Sequence, residues 1–362
     1  MKMKKILGLC DPVIDVYTGY ACMNSMLLND EKGVGWFVQN YIQTAAFYNE
    51  ALDFCYTDYL NFDTVYLNSI LYFQPEQMFN WPISMYSIPR EQVPTEDFLN
   101  FIRKEIDLGY GICLFVDLKY LRDYGYDWSG LHEIFIYGYD DEEEAVFATG
   151  YAKGSSYRTM KHPYSQVVPS YAELDDTIGY NRDVTRKFNT NRISLLHWNP
   201  DYEFSFSVKQ FKRDIHYYLN EEKWSFPVCV RNTRMGKHPM IAYGNRVYDV
   251  LGSYVRKKCQ KKEEMDIRQI YFQQNKQQGL EFKLSYLEQN GILKDSGEIR
   301  EQMKELLKEC KSLLFTGMEY NRRIQTGKVP KSGTGEKMAE KIEQLKEIEE
   351  GMLRRLSEDI KN

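Results

Sequence analysis

Two stretches set the reading of this chain: Tyr20-Ala21-Cys22-Met23-Asn24-Ser25-Met26-Leu27-Leu28, and the apolar run His132-Glu133-Ile134-Phe135-Ile136-Tyr137-Gly138-Tyr139-Asp140-Asp141. The first is a small-residue, apolar helical segment that carries a thiol just after the turn at Gly19. A thiol near a helix start feels the positive end of the helix dipole, which favours thiolate. The second stretch opens a strand with an imidazole, the group that holds a thiolate as an ion pair and moves its proton. In that order the two predict a cysteine nucleophile on a helix packed against an antiparallel sheet.

Working outward from Cys22, Lys4 to Cys10 reads as a strand stopped by Asp11-Pro12, and the Cys22 helix ends between Asn29 and Gly33. Trp36 to Asn49 has apolar residues at helical spacing, with strand as the alternative. Thr95 is placed to cap a helix through Phe98, Ile102 and Ile106 that closes at Gly109. Strands are predicted at 111–117, 134–137 and 145–149, the last two joined by the acidic turn Asp140 to Glu144.

Beyond about residue 200 the periodicity becomes helical, over 208–219, 247–259, 266–289, 298–321 and 337–357. The expected architecture is α/β (α+β): a cysteine core over 1–200 with an antiparallel sheet, and a helical C-terminal region over 201–362 packed on it. Met338, Ile342, Leu345, Ile348 and Leu353 form one apolar edge of the last helix. That edge is expected to pack on the adjacent helix, with a coil between two copies as the other arrangement.

Composition narrows the class. The 362 residues are 43% hydrophobic and 27% charged, which is the balance of a folded globular protein. No apolar run reaches membrane-spanning length, and Ile6 to Leu9 behind the basic start is too short for a signal peptide, so a cytoplasmic protein is expected. Seven scattered cysteines without a Cys-x-x-Cys pair predict reduced thiols, and neither a disulfide framework nor a zinc site. His162, His197, His216 and His238 lack metal-ligand spacing, and no glycine-rich phosphate loop occurs. Basic residues in the second half alternate with acids rather than forming a nucleic-acid stripe.

Charge is nonetheless uneven. Residues 1–180 carry 12 Lys and Arg against 26 Asp and Glu, whereas 181–362 carry 35 against 26. Mutual attraction of the halves, or a solvated face on each, is the plain account. The functional one is an acidic mouth for an amine and a basic surface for an acidic partner.

A working site needs more than the pair. His132 requires an acceptor that orients the ring, and the place opposite it holds Thr149-Gly150 rather than an acid. The role therefore falls to Thr149, to Asp140 in the turn, to Asp117 or to a backbone carbonyl. One oxyanion donor is expected from the backbone N–H of Cys22, with Tyr17 or Asn24 as the second. Cys10, at a predicted strand end without a helix dipole, is the weaker nucleophile.

The elements around Cys22, the phrase from Leu131 to Glu142, and the segment from Asp266-Ile267-Arg268-Gln269 to Leu284-Ser285-Tyr286-Leu287 together resemble the butirosin-biosynthesis-protein-H-like proteins. That family is related to papain-like peptidases that process bacteriocin leaders, and it occurs with nonribosomal peptide assembly lines. The resemblance spans most of residues 5–290. It implies a papain-like fold turned from cutting amides to making them. Cys22 would take an acyl group from the phosphopantetheine thioester of an acyl or peptidyl carrier protein, with no cofactor of its own, and a small amine would release it. Arg231, Arg234, Lys237, Lys257 and Lys258 would then face the acidic carrier. The absent acid opposite His132 and the absent Gln upstream of Cys22 depart from papain-like peptidases. Two other activities compete: a cysteine peptidase or amidohydrolase, and a non-catalytic docking protein of a biosynthetic complex.

Overall fold

The computed structural model describes residues 3–49, 54–59, 82–126, 129–153, 156–174, 191–220 and 240–361. They fall into two compact units, Met1–Val34 with Tyr66–Phe204, and Gly35–Val65 with Ser205–Asn362. Residues 35–65 thus group with the C-terminal half of the chain rather than with the segment around Cys22.

The first unit is built on a seven-stranded antiparallel sheet. Its strands are β1 (Lys4–Ile6), β4 (Ile83–Pro89), β5 (Tyr110–Asp117), β6 (Leu131–Asp140), β7 (Ala145–Ala152), β8 (Ser156–Pro163) and β9 (Arg192–Trp198). They run in the order β4-β9-β5-β6-β7-β8, with β1 also beside β6. β5 covers β6 from Leu131 to Ile136, and β1 takes over from Gly138 to Asp140. Gly138 is required there, because a Cβ would lie 2.9 Å from the Lys5 carbonyl oxygen.

Alternation along the strands sorts side chains into two layers. Ile112, Leu114, Val116, Ile134, Ile136, Val146 and Ala148 point to one face, where Phe98, Ile102 and Ile106 of α3 (Phe98–Asp107) and Val167 and Tyr171 of α4 (Tyr164–Ala172) cover them. The helix carrying Cys22, α1 (Thr18–Leu27), packs against β4, β6 and β7 and is buried on nearly every side. Such all-round burial is why its sequence is apolar or small throughout instead of striped.

The second unit combines a three-stranded sheet with long helices. The sheet runs β10-β2-β3, from Met240–Tyr243, Thr44–Asn49 and Phe54–Tyr59. The helices are α5 (Val208–Leu219), α6 (Val247–Lys261), α7 (Arg268–Gln289), α8 (Gly297–Gln325) and α9 (Thr334–Asp359). The apolar edge of α9 packs on α6 and α8, the adjacent-helix arrangement. α7 also carries a lysine amine into this core: Lys283 donates to the Phe37 and Val38 carbonyls, both at 2.9 Å, near the C-terminal end of α2 (Glu31–Asn40).

Several expectations change. The first strand stops at Ile6, so Cys10 lies in the connection to α1. Trp36 to Asn49 is split between α2 and β2, because residues 44–49 pair with β3 and β10. A 3-10 turn at Thr95–Asp97 precedes α3, and Asp97 rather than Thr95 stands at its cap position; the helix still closes at Gly109, which has φ +89°.

Candidate functional site

Cys22 is the fifth residue of α1, one turn inside the helix rather than at its start. Two corrections follow. A residue at that depth has its N–H committed to the carbonyl four positions back, so it is not an oxyanion donor. The dipole field also fades over the first turn, which weakens its pull on this thiol. Ala21 already donates to the carbonyl of Tyr17, the residue at the cap.

The thiol is 1% exposed and directed at the sheet. Its sulfur lies 3.8 Å from the Tyr157 hydroxyl, which hydrogen-bonds Thr149 Oγ1. Sheet register explains the meeting. Cys113 of β5 stands opposite Phe135 of β6, Phe135 opposite Thr149 of β7, and Tyr151 opposite Tyr157 of β8. Directly opposed residues share a face, so Cys113, Thr149, Tyr151 and Tyr157 form one surface. Interaction with Cys22, burial and the charge of Glu133 together raise the Cys113 pKa well above the ordinary thiol value. Burial first, and then Cys22, raises the Tyr157 phenol well above its usual range, so it stays protonated.

His132 stands in register with Val116, so alternation assigns it to the side of Ile134 and Ile136, while Glu133 takes the Cys113 side. At the strand's open end the imidazole faces Glu133, with Nδ1 3.1 Å from the backbone oxygen and 3.4 Å from a carboxylate oxygen. Its ring centroid is 5.5 Å from that of Tyr151, which is 5.4 Å from that of Tyr157. His132 is thus linked to Tyr157, the neighbour of the thiol, through the ring of Tyr151, and no His132–Cys22 hydrogen bond forms.

The remaining expected members separate further. Thr149 bonds Tyr157 and does not reach His132. Asp140 cannot orient His132, since it closes the opposite end of β6, eight residues or roughly 26 Å along the strand. Its carboxylate pairs with Lys4 at 2.9 Å and accepts the Glu142 and Glu143 N–H groups, which holds the acidic turn. Lys4 accordingly keeps its carboxyl below the usual pKa. Asp117 is occupied by Ser129, the Gly130 and Lys119 N–H groups, and the Lys119 ammonium. Cys10 Sγ points to the Ser25 carbonyl at 3.4 Å, and burial raises its pKa.

Sequence reasoning passed over Tyr157, Cys113 and Tyr124. Each is an ordinary strand or turn residue in the sequence, and pairing register carries Tyr157 and Cys113 to the face of the thiol. Tyr124 is admitted by Gly150, where a Cβ would sit 2.9 Å from the Tyr124 hydroxyl. Behind it His162, fully buried, lies 4.8 Å ring to ring from Tyr124; burial pushes the imidazole pKa down to about 4. Among the described residues no cluster of three or more His, Cys, Asp or Glu is placed to hold a metal ion. No helix among them is long and apolar enough to cross a membrane. Of the basic residues expected to meet a carrier, Arg231, Arg234 and Lys237 lie outside the described residues. Lys258 pairs with Glu263 at 3.1 Å, and the Lys257 ammonium sits 5.5 Å from the Tyr48 ring centroid. No protein-family model matches the chain, and no curated protein matches it.

Proposed function

We propose that this protein is a cysteine-dependent acyltransferase that makes an amide bond in natural-product assembly, on a papain-like core. The observation that supports it is the Cys22 thiol, carried by a helix on an antiparallel sheet and met there by the Tyr157 hydroxyl and a second thiol. In the proposed reaction the Cys22 thiolate attacks a carrier-bound thioester, forming a Cys22 thioester and releasing the carrier's thiolate, which takes up the proton Cys22 gave. An amine then attacks the acyl carbon, the amide leaves, and the proton lost by the nitrogen returns to the Cys22 sulfur. His132 serves as the proton carrier once the surrounding rings rearrange on substrate binding. The sites for the acidic carrier and the cationic amine follow the charge difference between the halves of the chain.

Intact-protein mass spectrometry after mixing with an N-acetylcysteamine thioester tests this. The expected result is an acyl adduct on Cys22, absent in Cys22→Ala, that an added amine discharges as amide. Discharge by water alone would make the protein a hydrolase. A second reading, a non-catalytic docking protein, is favoured by the near-complete burial of Cys22 and by the lack of a hydrogen bond between it and His132. Absence of any adduct selects that reading.

A further inference from the structure

If Cys22 is the nucleophile, its sulfur must be held by a group other than His132 in this arrangement. Tyr157 occupies that position, 3.8 Å from Sγ. A thiolate can only accept hydrogen bonds, whereas a phenol both donates and accepts. Thr149, bonded to the same phenolic oxygen, completes a directional chain: Thr149 O–H donates to Tyr157, and Tyr157 O–H donates to sulfur. Such a chain strengthens its terminal bond, since each donor polarises the next. Resting on the cysteine reading above, we propose that Tyr157, fixed by Thr149, is the hydrogen-bond donor to the Cys22 sulfur and a catalytic residue of the site.

Other groups also act on this thiol. Cys113 on β5 interacts with Cys22, and Tyr124, from the 122–124 turn, and Tyr157 both act electrostatically with it. Glu133 on β6 acts on Cys113, whose pKa its charge helps to raise, and Asp117, two pairs along β5 from Cys113, is held by Ser129, Gly130 and Lys119.

The test follows the rate of Cys22 carbamidomethylation by iodoacetamide against pH, read on the Cys22 peptide by mass spectrometry with the full-length chain. Tyr157→Phe keeps the ring and removes the donor. Its inflection should move up by about 1–2 pH units, the worth of a hydrogen bond to a charged group. The rate at pH 7 should drop about tenfold or more. Thr149→Val should shift the profile the same way by less, and Thr149→Ser should restore it, which a purely packing role for Thr149 would not produce. Thermal unfolding confirms that each variant is folded. An unchanged profile in Tyr157→Phe, or a wild-type Cys22 that stays unmodified at every pH, overturns the role of Tyr157. The cysteine reading fails separately, if Cys22→Ala still forms amide. If Cys22→Ala is inactive while Tyr157→Phe keeps both profile and turnover, only Tyr157 is removed from the mechanism.

Discussion

His162 gives the fold of the first unit a pH dependence that can be worked through. The ring is fully buried on β8, and both its nitrogens lack hydrogen-bond partners. Asp123 Oδ2, at 3.9 Å from Nδ1, is too distant to compensate the burial, which brings the pKa to about 4 from the ordinary 6.5. Unfolding returns the ring to water and to its ordinary value. Between those two pKa values the unfolded chain binds a proton that the folded chain refuses, so stability falls as pH falls from about 6.5 to 4. The gap of about 2.5 pH units corresponds to about 3 kcal/mol. His162→Met, apolar and of similar reach, should be neutral or slightly stabilising at pH 7.5, because it removes two unsatisfied polar atoms. It should also lose about 3 kcal/mol less than the wild type between pH 7 and 4. In the second unit Asp214 acts with the opposite sign. Burial raises its pKa to about 6, so its contribution is present below the ordinary carboxylate value and is lost as pH rises through 6. The comparison is therefore best made locally, by hydrogen exchange of the β7 and β8 amides at several pH values in wild type and variant. Parallel pH profiles, within about 1 kcal/mol, would refute the argument.

Three further outcomes are expected. Glu349→Gln strands the Lys276 ammonium, which Glu349 holds at 2.9 Å in a buried network with Tyr218, Tyr248 and Gln277; it should cost about 3–5 kcal/mol in urea unfolding, while replacing both partners by apolar residues costs much less. Gly150→Ala pushes a methyl into the Tyr124 hydroxyl and should lower stability by about 1–3 kcal/mol; a denaturation midpoint equal to wild type would contradict the close approach. Asp140→Asn should leave thioester turnover at the wild-type rate, given its place at the far end of β6. A loss as large as that of His132→Ala would return Asp140 to the site.

Wherever periodicity runs long, the sequence alone set the answer. The helices from Val208 to Asp359 each repeat an apolar face over three or more turns, and their boundaries agree with the expected ones within a few residues. The strands around 111–117, 134–137 and 145–149 were legible because β-branched and aromatic residues run there between turn residues. Residues 44–49 stayed between helix and strand, and 54–59 were not read, since a strand in a small sheet owes its state to partners distant in sequence, here residues 240–243. The site divides in the same way. The thiol-bearing helix and the strand opened by His132 could be read from order and residue type. Whether His132 or Glu133 takes the Cys113 side depends on a one-residue register, and Tyr157 reaches Cys22 because β7 and β8 pair as they do. Register is fixed by pairing across the whole sheet, so the identity of the group at the sulfur was a decision of the tertiary structure.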